Sequence, residues 1–130
     1  MRLVVDGMNV IGSRPDRWWR DRRGAMRRLV AALDRYAHET GDHVTVVLDS
    51  PPFDTGEEAA ITVRFAPGGR NAGDDEIVRI AEGDAAPETL HVVTSDRELA
   101  ARVDRLGAHV LPAGEFRAEL DRYEPDERHA

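Results

Sequence analysis

The chain has 130 residues, enough for one α/β core and too few for a second domain. Apolar residues make up 41% and charged residues 33%, no apolar run approaches the roughly 18 residues that span a bilayer, and the lack of cysteine excludes disulfide and thiolate chemistry. A net charge of −7 excludes a protein that coats nucleic acid with a uniformly basic surface.

In chain order, Arg2 to Asp6 (RLVVD) is a short apolar run ending in DG, which predicts a buried strand and then a turn. Between Arg14 and Arg28 lie seven arginines (14, 17, 20, 22, 23, 27 and 28) against Asp16 and Asp21, so the charge is segregated. All 18 basic residues are arginine, a side chain whose planar fork suits phosphate, although a coding bias explains the choice equally well. From Asp21 to Thr40, Met26, Leu29, Val30, Leu33, Tyr36 and Ala37 recur at helical spacing, and Gly41 closes the helix.

His43 to Asp49 (HVTVVLD) is apolar at nearly every position, as in a central strand covered on both faces. A loop rich in turn formers, 50–58, precedes a β-branched strand at 60–65. The glycine-rich PGGRNAG then approaches Asp74 and a short helix from Asp75 to Glu82, with Ile77, Val78, Ile80 and Ala81 available to the core. Leu90 to Thr94 is a strand. Ser95, with Glu98 three residues on, predicts a capped helix through Leu99, Ala100, Val103 and Leu106, ended by Gly107. Ala108 to Leu111 is the last strand and Gly114 to Tyr123 the last helix, leaving a frayed tail, 124–130, outside a domain of residues 1–123. Alternation of strand and helix gives an α/β fold: a mostly parallel central sheet with helices on both faces.

Three of these strands end in or just before an aspartate: VVDG at Asp6, VVLDS at Asp49 and VVTSD at Asp96. In an open α/β sheet the carboxyl ends of the strands face one crevice, so these acids should meet there, with Asp74 or Asp75 reaching it from the side. Taken singly, each acid is also an ordinary turn or helix-start residue. Together, so many like charges in one cleft repel each other, and a hard divalent cation resolves the conflict. Mg²⁺ or Mn²⁺ held by Asp6, Asp49, Asp74, Asp75 and Asp96 would suit hydrolysis of a phosphodiester by water activated at the site. Asn9 orients a carboxylate, helps to hold water or touches substrate, or else caps the turn. Thr94 and Ser95 offer hydroxyls to a phosphate or an acid, and Ser95 is expected to be the helix cap.

The motifs VDGMNVIG, VTVVLDS, GDDEI and VVTSD, in this order and at these separations, resemble the NYN domains of the PIN-like nuclease superfamily, and specifically the YacP-type branch. The resemblance runs from about Arg2 to Leu120. It implies a PIN-like three-layer sandwich, a metal site on Asp6, Asp49, Asp74 and Asp96, and a signature asparagine at Asn9. It also implies an RNA substrate and, because the branch includes a ribosome-associated endoribonuclease, association with the ribosome. The family's Thr-Ala-Asp stands here as Ala72-Gly73-Asp74, with Asp75 as a rival ligand, and the C-terminal helices common in longer relatives have no counterpart.

The segment from Ser13 to Arg28 runs from the crevice into the first long helix. Arg14, Arg17, Arg20, Arg22 and Arg23 are candidate phosphate contacts, and Trp18 or Trp19 a stacking platform for an unpaired base. The competing structural reading packs one tryptophan under the helix. The five histidines, at 38, 43, 91, 109 and 129, lack zinc-ligand spacing and are read as structural.

The leading expectation is a metal-dependent endoribonuclease, cytoplasmic and without a membrane segment. The alternative is a catalytically inactive PIN-like module that binds RNA or protein. An aspartyl-phosphate mechanism fits poorly, since DGMN lacks the second aspartate two residues on and the chain contains no lysine.

Overall fold

The computed structural model describes residues 1–56, 59–69 and 71–123; the expected tail, 124–130, lies outside these, as do residues 57, 58 and 70. Five strands, β1 (Arg2–Asp6), β2 (His43–Leu48), β3 (Ile61–Phe65), β4 (Leu90–Val93) and β5 (His109–Leu111), form one sheet in the order β3-β2-β1-β4-β5. Every neighbouring pair is parallel. The α-helices among the described residues are α1 (Gly7–Gly12), α2 (Arg22–Thr40), α3 (Ala72–Glu82), α4 (Arg97–Arg105) and α5 (Ala113–Leu120).

The strand sequences explain the three layers. Alternate residues of a strand point to opposite faces, so an unbroken apolar run must be covered on both. Leu3, Val5, Val44, Val46 and Leu48 pack with Val10 and Ile11 of α1, the apolar face of α2, and Phe116 and Leu120 of α5. Val4, Val47 and Val92, on the other face, pack with Ile77, Val78 and Ala81 of α3 and with Leu99 and Val103 of α4. At the amino ends of the strands, Arg2 grips Asp84 through Nη1 to Oδ2 at 2.8 Å and Nη2 to Oδ1 at 3.0 Å, holding the Asp84 carboxyl down at about 2.

Several boundaries differ from those expected. DG was read as a turn, yet α1 begins immediately after Asp6. Gly7 permits this: a Cβ there would lie 2.7 Å from both the Val47 carbonyl oxygen and Leu48 Cδ2. Gly7→Ala should therefore destabilise the fold by about 1–3 kcal/mol through overpacking, despite alanine's better helix propensity. Chemical denaturation checks this, and an unchanged or raised midpoint would contradict it.

α2 starts after a 3₁₀ turn at Trp18–Asp21, capped by Asp21, whose Oδ1 accepts from the Gly24 amide at 3.0 Å. It ends where Gly41 takes φ +77°, a conformation glycine adopts freely. α3 begins at Ala72, not Asp75, which moves Asp74 and Asp75 into its first turn. Ser95 is not the cap of α4: Asp96 is, with Oδ1 accepting from Glu98 and Leu99 amides at 2.9 and 3.1 Å. The Ser95 hydroxyl instead accepts from the Ala113 amide at 2.9 Å, which ties the end of β4 to the start of α5.

From β1 the chain moves outward through β2 to β3, then returns to β4 on the opposite side of β1. β1 and β4 are therefore adjacent strands whose continuing chains depart in opposite directions. This switch point leaves a crevice at the carboxyl ends of the two strands.

Candidate active site

Parallel register sets the first contacts at that crevice. Val5 pairs with Val93, so Asp6 and Thr94, the next residue of each chain, lie side by side. Thr94, 1% exposed, donates its hydroxyl to Asp6 Oδ2 at 2.9 Å, and its Oγ1 accepts from the Asp96 amide at 3.1 Å. Asp6 is itself only 6% exposed. Burial pushes its carboxyl up to about 6, and the nearby charges of Asp74 and Asp49 push the same way, while Thr94 and the Asn9 backbone oppose them.

The other acids come from three further elements. Asp49 follows β2 directly; burial raises its carboxyl pKa, offset in part by the Arg22 charge and the Gly73 backbone. Asp74, in the first turn of α3, is raised by burial and then by the Asp96 and Asp49 charges. Asp96 caps α4. Asp6, Asp49, Asp74 and Asp96, with Met8, Asn9 and Asn71, line one open cleft of about 270 Å³.

Asp75 is not part of that lining. Successive helical residues point about 100° apart, so with Asp74 turned to the cleft Asp75 projects well to one side of it. Asp75 instead pairs with Arg102 at 3.2 Å on the surface. Asn9 acts as a latch: its Oδ1 accepts from the Ser95 amide at 2.8 Å, joining α1 to the segment after β4.

The donor chemistry suits a hard divalent ion. All four acids offer oxygen, and three have pKa values raised by burial and, for Asp6 and Asp74, by neighbouring carboxylates, so a cation would relieve a real electrostatic cost. Among the described residues, no three Asp, Glu or His side chains close into a ready-made metal cage. An open ring of carboxylates accords with Mg²⁺, which keeps several waters and is commonly bound through one or two carboxylates plus substrate phosphate.

Beside the cleft, and sharing Asp49 with it, lies a pocket of about 390 Å³ lined by Arg22, Ser50, Pro51 and the 66–69 loop. The arginine-rich segment leads to it. Trp18 is half-buried against the core, with the Arg22 guanidinium 5.6 Å from its ring centroid, whereas Trp19 is 59% exposed. One tryptophan packs and the other faces solvent, so of the two candidates for a stacking platform, Trp18 and Trp19, Trp19 is the one that presents its ring to solvent. Arg23 and Arg27 lie over the Phe53 ring at 5.1 and 5.4 Å. Arg17 and Arg20 are exposed, and Arg14 is drawn away into an ion pair with Asp121.

A family model described as the YacP-like NYN domain matches residues 3–130. The chain belongs to this family. Two crystal structures of Rae1 (YacP) from Bacillus subtilis, one of them a tryptophan-to-leucine mutant, resemble this NYN domain at 26% identity. The TM-score is 0.76 for the first, covering 99% of this chain and 76% of that one, and 0.75 for the mutant, covering 99% and 77%. A search of curated proteins found no match. The PIN-like sandwich expected from the sequence is thus the observed fold, with a sheet that is parallel throughout. No helix among the described residues is long and apolar enough to cross a membrane.

Sequence reasoning overlooked Met8 and Asn71, which line this NYN domain's cleft, and Gly73, which adjoins Asp49. Asn71 lines it from a left-handed conformation, φ +66°, which asparagine tolerates better than most side chains. At Gly73 a Cβ would lie 2.0 Å from Asp49 Oδ1, so the carboxylate occupies the space a side chain would take. The signal was the glycine standing where the family has alanine. The described histidines, at 38, 43, 91 and 109, are not in the cleft lining, and His91 and His109 stack at 4.9 Å on β4 and β5; His129 lies outside the described residues.

Proposed function

We propose that this NYN domain is a metal-dependent endoribonuclease. The observation that carries the reading is the convergence of Asp6, Asp49, Asp74 and Asp96, from four separate elements, on one cleft at the switch point of a parallel sheet. Family membership supplies the nuclease class. These four acids, rather than Asp75, would hold Mg²⁺ or Mn²⁺, which when bound neutralises charge on the scissile phosphate and favours attack by water.

The chain's own residues position that chemistry. Thr94 fixes the Asp6 carboxylate, and Asn9 keeps α1 against the segment that carries Asp96. Hydrolysis would add the oxygen of water to phosphorus and break one P–O bond, with a cleft carboxylate to take the water's proton and that proton then returned to the departing ribose oxygen. The arginines at the cleft's edge hold the polyanion against an otherwise acidic protein. By the same resemblance, the substrate pool is cytoplasmic RNA, ribosome-bound RNA included, and co-sedimentation with ribosomes checks that extension.

The test is incubation with a circular single-stranded RNA, which only an endonuclease opens. Cleavage is expected with Mn²⁺ or Mg²⁺ and should stop in EDTA. RNA bound yet left intact under both ions would replace this reading with that of an inactive RNA-binding module. Because the cleft is open, Mn²⁺ alone should bind weakly by calorimetry, and a non-cleavable RNA strand should tighten it by about tenfold or more through shared phosphate ligands. Equal Mn²⁺ affinity with and without the strand would argue against a shared site.

A further inference from the structure

The pocket next to the carboxylate cleft has the features of a place for one nucleotide. It shares Asp49 with the cleft, so anything seated in it lies directly beside the acids. Its volume, about 390 Å³, falls within the range of small-ligand sites. Pro51, Ala66 and Pro67 give it apolar walls, and Gly68 and Gly69 close one side with backbone alone. Among the described residues, Arg22 is the one cation in its lining.

Arg22 is held in readiness. Trp18 supports its guanidinium, Nη2 makes a long contact of 3.4 Å to the Asp49 carbonyl oxygen, and its charge offsets part of the rise in the Asp49 pKa. Its donors are exposed and only partly used, so a phosphate can take the rest. Farther along α2, Arg23 and Arg27 lie on Phe53, and Arg27 Nε donates to the Asp54 carbonyl at 3.1 Å. A row of guanidiniums, restrained before any ligand arrives, therefore leads away from Asp49.

We propose that this pocket seats the nucleotide flanking the scissile phosphate of an unpaired RNA strand, with Arg22 on its phosphate and the Pro51 and Pro67 walls against its base. Arg23 and Arg27 then track the next phosphates. A base-paired nucleotide cannot enter a recess of this size without leaving its stack, so the pocket selects single strands over duplex. The identity of the ligand rests on the nuclease reading; the pocket and the arginine row do not.

Binding of a fluorescein-labelled single-stranded RNA hexamer in EDTA, followed by anisotropy over a salt series, tests this without cleavage. The single strand should bind about tenfold or more tighter than the same sequence in a duplex. Arg22→Ala should weaken single-strand binding by about tenfold and lower the slope of log K against log salt by about 0.7, the loss of one phosphate contact. Arg105→Ala, at the far end of α4, should change neither. Equal affinity and slope for Arg22→Ala and the unaltered protein, or duplex bound as tightly as single strand, would overturn the proposal. In Mn²⁺, strand binding through Arg22 without cleavage would remove the nuclease reading and leave the pocket standing. Cleavage by Arg22→Ala with an unaltered KM would remove the pocket and leave the nuclease.

Discussion

Asp6→Asn is expected to abolish metal-dependent RNA cleavage while making the metal-free protein more stable at pH 7.5. The activity loss should be about 10²–10³-fold, the scale for removing one group that stabilises charge in a transition state. The gain in stability follows from the same burial. The folded Asp6 carboxyl titrates at about 6 against an ordinary 3.8. Between those values the folded chain holds a proton that the unfolded chain has released, so stability falls as pH rises through the window. Above about pH 6 the penalty is complete, on the order of 2–3 kcal/mol. Asparagine removes the charge and keeps an oxygen for the Thr94 hydroxyl. Urea unfolding in EDTA should show the variant ahead at pH 7.5 and the difference shrinking by about pH 4. A variant that cleaves at the normal rate, or that is less stable than the unaltered protein at pH 7.5, would contradict the burial argument.

Gly73→Ala, although it restores the alanine that the family resemblance implies here, is expected to cost about 10–100-fold in kcat with little change in the unfolding midpoint, because in this chain the Asp49 carboxylate has taken that space. The added methyl would meet Asp49 Oδ1 at 2.0 Å, and the carboxylate, as the free end of a side chain, is what moves. Misplacing a reacting or ligating group by about 1 Å commonly costs that much in rate. Alanine meanwhile contributes up to about 1 kcal/mol of helix propensity in α3, which offsets residual strain. A double-mutant cycle isolates the cause: in an Asp49→Ala background the Gly73 change should lower the rate no further. A further loss there, or full activity in Gly73→Ala alone, would mean that Asp49 is not the group displaced.

The readable parts of this protein were those written in local periodicity. The apolar face of α2 and the unbroken run of β2 announced themselves, and a parallel sheet then required Asp6, Asp49 and Asp96 to lie at one end. What stayed hidden was decided by partners distant in sequence. Gly7 signals a turn until Val47, forty residues on, shows that it is a packing necessity. Ser95 and Asp96 are equally good caps by composition; Ala113 claims the serine and leaves the cap to the aspartate. Asp74 and Asp75 were inseparable because the start of α3 was placed three residues late, which concealed the angle between them. Trp18 and Trp19 were separable only once the 3₁₀ turn fixed which one faces the core.

The bond from Thr94 to Asp6 joins positions 88 residues apart. During synthesis, a chain that has completed β1, β2 and β3 already carries Asp6 and Asp49 but has no β4 to set beside them. The carboxylate cleft is therefore completed late, when the returning strand docks beside β1 at what is until then an edge of the sheet. A chain that ends before that strand lacks both Asp96 and the Thr94 hydroxyl that fixes Asp6.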